Sequence, residues 1–277
     1  MTPSDVESLE IDLLLEAILR RYGYDLRHYA RASLKRRILH RVASAGLERP
    51  SDLIAPILRD EKAFSEFLDD VPVTVTEMFR DPSFFAAIRE RVVPLLRTYP
   101  YFNVWHAGCA TGEEAYSMAI LLEEEGLYER ARIYATDLDV RALERARDAI
   151  YPLRDVREHT RNYQAAGGRR AFSDYYQAGY GAVKLDSRLA RHITFARHNL
   201  VTDGVFAEIQ LVICRNVLIY FDRTLQARVV SLFHESLCAG GFLGLGSKES
   251  IRFTPAAQRF EGVCERERLF RKRRGVS

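Results

Sequence analysis

The chain has 277 residues, 47% hydrophobic and 29% charged, with a formal net charge of +3. That suits about two globular domains, and with no apolar run of about 18 residues no helical membrane span is expected. The acidic, amphipathic start MTPSDVESLEIDLL lacks the basic, continuously apolar character of a secretory signal.

Helical periodicity runs through Glu7–Tyr22, Leu26–Ala45, Ser51–Arg59 and Glu61–Asp70. Gly23, Gly46 and Pro50 supply the stops, and Ser51 or Asp52 an N-cap. These helices form an all-α N-terminal domain over residues 1–72. Its basic helix, about residues 29–45, lies in a stretch from Arg27 to Arg49 with seven Lys/Arg and one acid, Glu48. Leu34, Ile38, Val42 and Ala45 make a core-facing stripe, and Arg36, Arg37, His40 and Arg41 fall on the other side. That positive face can be merely solvated, can dock an acidic protein segment, or can contact nucleic acid. Tyr29 is the only close aromatic, which counts against a stacking surface for single strands.

Pro72 closes the bundle, and the β-branched run Val73–Thr76 opens a junction that leads, through a helix at Pro82–Leu96, to residue 100. From 101 to 277 the pattern becomes α/β. Strands are predicted at Phe102–Ala107, Arg132–Thr136, Ile193–Ala196, Ile209–Cys214 and Phe242–Ser247. Helices at Glu113–Glu125, Val140–Ala149 and Arg223–Ala239 lie between some of them, which implies a mostly parallel sheet covered on both faces. The aromatic, glycine-bearing segment Tyr175–Phe195 reads as a small β insertion. The run Arg266–Arg274 holds six basic residues and Glu267; its first half ends the last strand and the rest is a solvated tail. Cys109, Cys214, Cys238 and Cys264 show neither C-x-x-C pairing nor metal spacing, as expected for reduced cysteines in a cytoplasmic protein with no metal site.

Ligands of such sheets bind at the carboxyl ends of the strands. The segment VWHAGCATGEEAYS at 104–117 is a strand, a small-residue loop and a helix start, without the G-x-G-x-x-G of a dinucleotide cradle. Glu113 and Glu114 after the loop repel phosphate and favour a neutral or cationic ligand, and the sulfonium of S-adenosylmethionine fits. Asp137 in IYATDLD can accept from both ribose hydroxyls, or cap the helix that begins at once. Asn199 in HNL offers an amide donor and acceptor to an adenine edge. Asn216 follows an apolar strand in CRNVLIYFD, where an unpaired amide is costly, and Tyr220 and Asp222 lie just beyond.

These segments carry a resemblance. Together with SLKRRILHRV, VTVTEMFRDPSFF and GGFLGLGSKES, they make the chain similar, over nearly all its length, to the CheR family of chemotaxis receptor methyltransferases. The resemblance implies an all-α domain followed by a class I, Rossmann-like methyltransferase domain with an inserted β-subdomain. It implies S-adenosylmethionine-dependent methylation of receptor glutamates, giving methyl esters and S-adenosylhomocysteine. Gly108 and Glu114 would meet the methionine and ribose end, Asp137 and Leu138 the ribose and adenine, Asn199 and Leu200 the adenine, and Asn216 and Val217 the methionine part. Thr76 and Arg80 would close over the cofactor, with Arg80 and Tyr220 nearest the transferred methyl as catalytic residues. Thr74 and Met78 depart from the family's usual Asn and Phe, so Thr74 keeps a hydroxyl but loses the amide. Arg36, Arg37, His40 and Arg41 would dock along the receptor's acidic helical bundle. The short insertion points to the kind that needs no receptor C-terminal pentapeptide, in a stand-alone, monomeric enzyme without nucleic acid or membrane insertion. A class I methyltransferase of RNA or small molecules and an inactive cofactor-binding module are the alternatives.

Overall fold

The computed structural model describes residues 2–22, 26, 27, 29, 31–70 and 76–275. It divides into two compact units, Met1–Thr74 with Ile219–Gln226, and Val75–Leu218 with Ala227–Ser277. No helix among the described residues is long and apolar enough to cross a membrane.

The first unit holds α1 (Pro3–Tyr22), α2 (Arg31–Ser44), a 3-10 turn at Pro50–Leu53, α3 (Ile54–Arg59) and α4 (Glu61–Asp70). Ile11, Leu14, Leu15 and Ile18 of α1 and Leu34, Ile38 and Val42 of α2 are buried with Ile57, Phe64 and Phe67. Tyr22 stacks on Phe64 at 3.7 Å and donates its hydroxyl to the Ile57 carbonyl at 2.7 Å. Helix α2 starts at Arg31 rather than Leu26, because Tyr29 is drawn into an antiparallel bridge with Phe221, their rings 5.2 Å apart. The helix expected from Ser51 opens as a 3-10 turn, with Pro50 in its first position and Asp52 accepting from the Arg49 amide at 2.9 Å.

In the second unit α5 (Pro82–Ala87) and α6 (Val93–Leu96) are joined by one π-type turn, Ile88–Val92. Pro94 follows it, with no amide to give to the turn before, so the single helix expected here widens at that point. The rest runs β1 (Phe102–Ala107), α7 (Glu113–Glu124), β2 (Ala131–Asp137), α8 (Val140–Asp148), β3 (Ile150–Pro152), α9 (Val156–Ala165), β4 (Tyr176–Gly179), β5 (Ala182–Leu185), β6 (Ile193–Arg197), β7 (Ile209–Cys214), α10 (Arg223–Ser236), β8 (Leu237–Leu245), β9 (Phe260–Cys264) and β10 (Leu269–Lys272). Seven strands form one sheet in the order β6-β2-β1-β7-β8-β10-β9. The first five are parallel; β10 runs antiparallel to both β8 and β9. Strands β1 and β7 are buried almost throughout because both faces are covered.

The insertion differs in composition from the 175–195 expectation. Strands β4 and β5 form a hairpin, the third strand is β3 from residues 150–152, and Ile193–Arg197 is the edge of the main sheet. Buried Glu124 at the end of α7 fastens this region, accepting from the Arg169 amide at 2.9 Å, from Tyr175 at 3.1 Å and from the Tyr163 hydroxyl. Helix α10 ends at Ser236, three residues earlier than its periodicity predicts. Lys272 of β10 reaches back to the His234 and Leu237 carbonyls at 2.7 and 2.6 Å, so a distant cation terminates it.

Candidate active site

The carboxyl ends of the parallel strands carry the candidate residues of the second unit. After β1 the chain turns through Gly108 (φ +81°), Ala110 (φ +47°) and Gly112 (φ +92°) into α7. The Gly108 and Cys109 amides donate to the Thr136 carbonyl of β2 at 2.8 and 2.9 Å, which folds the loop across the neighbouring strand. A Cβ on Gly108 would stand 2.5 Å from Val217 Cγ2, so glycine is needed both for its dihedral and for this approach. Two of the predicted residues, far apart in sequence, thus share one wall.

Asp137 is half-buried at the end of β2. Its Oδ2 accepts from the Ala110 amide at 2.8 Å and its Oδ1 from the Asp139 amide at 3.0 Å. Burial pushes its carboxyl up, and these amides oppose that; the net direction is upward. The helix cap is Asp139, which accepts from the Arg141 and Ala142 amides, so the capping alternative for Asp137 does not apply. Leu138 stands beside it, half-buried. The HNL segment meets this edge where the His198 amide donates to the Asp137 carbonyl at 3.2 Å.

Asn199 is partly engaged within its own loop. Its Oδ1 already accepts from the Val201 amide at 2.9 Å, and the residue is buried, so the side chain closes a local turn. The second lone pair of Oδ1 and the Nδ2 donor are not used by that turn. Leu200 next to it is buried at the same edge.

Asn216 adopts φ +61°, and the site's largest unforeseen feature explains how it is held. Glu249, 3% exposed, accepts from the Asn216 amide at 3.0 Å, the Val217 amide at 2.9 Å and the Gly246 amide at 2.6 Å. Burial raises the Glu249 carboxyl while those amides pull it down, and burial prevails. Among the described residues the Asn216 side-chain amide makes no hydrogen bond, which leaves it available to a ligand.

Arg215 is the second residue that sequence reasoning missed. Its side chain is 2% exposed, and its guanidinium sits 4.4 Å from the centre of the Phe84 ring. Nη1 donates to the Arg80 carbonyl at 3.0 Å and to Glu114 Oε2 at 3.1 Å, while Nη2 pairs with Asp81. Glu114 also meets buried His106 Nδ1 at 2.9 Å. Burial pushes the Glu114 carboxyl up, but His106 and Arg215 outweigh it and hold it below the ordinary range. Glu114 is therefore an ion already paired within the protein, not an open counter-charge.

The junction is anchored around this cation. Phe79 and Asp81 have φ of +53° and +55°, strained for side-chain-bearing residues. The Phe79 amide donates to Ser117 Oγ at 2.8 Å, and buried Met78 accepts at its carbonyl from Asn162. Thr76 and Arg80 lie half-buried in this segment, and Thr74 falls outside the described residues. A buried glutamate, Glu113, accepts from Thr111 at 2.7 Å; burial raises its pKa to about 7.

Tyr220 and the basic helix belong to the first unit. The Arg37 guanidinium lies 5.6 Å from the Tyr220 ring centre, and Arg41 pairs with Glu66 at 2.6 Å. Of the expected cationic face, Arg36 and His40 are exposed and Arg37 and Arg41 half-buried. Long guanidiniums reach round the cylinder to partners that helical spacing does not reveal.

Two family models match this chain, the CheR methyltransferase all-alpha domain over residues 9–71 and the CheR methyltransferase SAM binding domain over 74–266. The chain belongs to the CheR methyltransferase family. It is 53% identical over 272 residues to a protein named as a methyltransferase, Cher3, of Pseudomonas putida KT2440, covering 98% of this chain and 100% of that one. It is 30% identical to a chemotaxis protein methyltransferase of Listeria monocytogenes, covering 89% and 92%. Against the chemotaxis protein methyltransferase of Escherichia coli K12 the identity is 28%, covering 88% and 86%. A solved structure, the N-methyltransferase NodS of Bradyrhizobium japonicum, aligns with TM-score 0.40 at 16% identity over 74% of this chain and 92% of that one. The CheR family membership gives an S-adenosylmethionine-binding methyltransferase domain over residues 74–266, with an all-α domain before it.

Proposed function

We propose that the protein methylates glutamate side chains on the helical bundle of methyl-accepting chemoreceptors. The reading is carried by one observation: Arg215 ties the Arg80 carbonyl and Glu114 together, which brings the junction to the carboxyl rim. The donor set fits the cofactor, since a half-buried carboxylate (Asp137), a glycine loop and an unpartnered amide (Asn216) meet there without a phosphate cradle. When bound, S-adenosylmethionine supplies an electrophilic sulfonium methyl, which a glutamate oxygen takes while sulfur keeps the bonding pair.

The receptor carboxylate is ionised at neutral pH, its free pKa being about 4.3, so no general base is required of the protein. Arg80 is assigned to orient that carboxylate through its guanidinium fork. Its grip must be looser than a full salt bridge, because stabilising the ground state as much as the transition state gains nothing. Tyr220 is assigned to donate its phenol hydroxyl to a substrate carboxylate. Asp137 is assigned the ribose hydroxyls, Asn216 and Val217 the methionine part, and Asn199 Nδ2 with Leu200 the adenine side. Exposed Arg36 and His40 are the primary contacts to the acidic receptor helices, with Arg37 and Arg41 adding charge behind them. The tight hairpin at Tyr180 and Gly181, both with positive φ, supports a mode independent of a receptor pentapeptide.

Mass spectrometry of chemoreceptors co-expressed with the enzyme tests this. Glutamyl methyl esters are expected with the wild type and lost with Arg80→Ala. Label from the cofactor appearing in RNA or small molecules, with none on receptors, would overturn the substrate assignment.

A further inference from the structure

We propose that the opposite rim of the same sheet carries a binding site for a small phosphate-bearing polyanion, built from Arg271, Arg273 and Arg274 around Gly240. The sequence reads RKRR at 271–274 as the end of a strand and a solvated tail, but in the fold the first three of these cations are held by backbone carbonyls. Arg271 Nε donates to the Gly240 carbonyl at 3.0 Å, and Arg273 Nε to the Phe260 carbonyl at 3.2 Å. A guanidinium pinned through Nε is oriented in advance and keeps both terminal nitrogens for a ligand, the geometry that matches a phosphate in two bonds.

Gly240 forms the floor. With φ +80° and no side chain, it lets Arg274 Nε and Arg271 Nη2 come within 3.2 and 3.3 Å of where a Cβ would stand. Lys272 is turned away to the end of α10 and adds charge rather than contact. None of these four cations makes an ion pair with a carboxylate among the described residues. They line an open hollow of about 380 Å³ together with Glu261.

The lining decides the ligand class. All five residues are charged, so the buried apolar anchor that tight peptide binding relies on would find no pocket there. Four cations beside one carboxylate suit clustered phosphates with a hydroxyl or amine donor next to them, the pattern of a nucleotide or sugar phosphate. Gly240 stands five residues before Leu245, whose carboxyl end leads into Gly246 and Glu249 of the candidate active site. At roughly 3.3 Å per residue the two rims are about 16 Å apart, so an occupant here would leave the cofactor site open.

Calorimetric titration of the full chain with inorganic pyrophosphate and with ADP, at low salt, tests the proposal. Arg271→Gln/Arg274→Gln should bind pyrophosphate at least about tenfold more weakly than wild type, whereas Arg132→Gln/Arg228→Gln, which removes two exposed cations elsewhere, should stay within about twofold. Arg271→Lys/Arg274→Lys keeps the charge but loses the fork, and should fall between the two. Adenosylhomocysteine affinity should be unchanged in all three, which also reports that they are folded. Equal pyrophosphate affinity in the Gln variant and the control would overturn the site. So would undetectable binding by the wild type at millimolar pyrophosphate, or tighter binding of a hexaglutamate peptide than of pyrophosphate.

Discussion

Arg215→Ala is the sharpest test of how the candidate active site is held. The arginine side chain is 2% exposed and Glu114 15%, whereas Asp81 is 43% exposed. Removing one member of a buried pair costs about 3–5 kcal/mol, chiefly because the other charge stays buried and uncompensated. Asp81, reached by water, contributes no more than about 1 kcal/mol. Glu114 retains His106, so the lower half of the range applies, and about 3 kcal/mol is expected in urea unfolding. Arg215→Lys keeps the charge, but one ammonium cannot span Glu114, the Arg80 carbonyl and Asp81; a loss of about 1–2 kcal/mol is expected. Combining Arg215→Ala with Glu114→Gln should cost less than the sum of the single changes by about 1–2 kcal/mol, because neither charge is then stranded. The pH dependence follows from the direction of the Glu114 shift. A carboxyl held below its unfolded range adds stability above that range, which is lost as pH falls through the folded value. Without Arg215 that loss should begin at higher pH. Adenosylhomocysteine affinity should fall in Arg215→Ala as the rim loosens. An alanine variant within about 1 kcal/mol of wild type, with additive behaviour in the double variant, would refute the clamp.

Glu113 titrates in the opposite sense. Its folded pKa of about 7 lies above the ordinary 4.5, so stability declines as pH rises between those values. Glu113→Gln should match wild type near pH 5 and exceed it by on the order of 2–3 kcal/mol at pH 8, and parallel pH profiles would exclude this. Gly108→Ala should weaken adenosylhomocysteine binding at least about tenfold, given the 2.5 Å approach to Val217 Cγ2. Adding Val217→Ala should recover part of it, since the steric term is relieved and the φ strain is not; calorimetry reads both. Arg36→Glu should slow methylation of receptor at low salt and leave cofactor affinity alone, and equal rates with wild type would remove Arg36 from the docking face.

What was readable in the chain was what local spacing controls. The turn from β1 into α7, the strand at Ile209–Cys214 and the aspartate closing β2 all follow from apolar runs meeting small or acidic residues. What was not readable shares a cause. Asn199 Oδ1 accepts from the Val201 amide two residues on, a turn that its place at a strand end does not reveal. Arg37 and Arg41 fall on the polar side of α2 and yet meet Tyr220 and Glu66, 183 and 25 residues away. Strand β3 is too short and too exposed to show a pattern, and exists because β5 pairs with it.

The amino-acid order by itself therefore determined where strands and helices alternate, and which residues the strand ends present. Those are consequences of backbone dihedrals and of periods of two and about 3.6 residues. Tertiary structure alone decided that Arg215 reaches Asp81 and Glu114, 134 and 101 residues back, and that Glu249 holds Asn216 and Val217 from 33 and 32 residues on. A buried ion or carboxylate is tolerated only where distant partners converge on it, and that convergence has no signature along the chain.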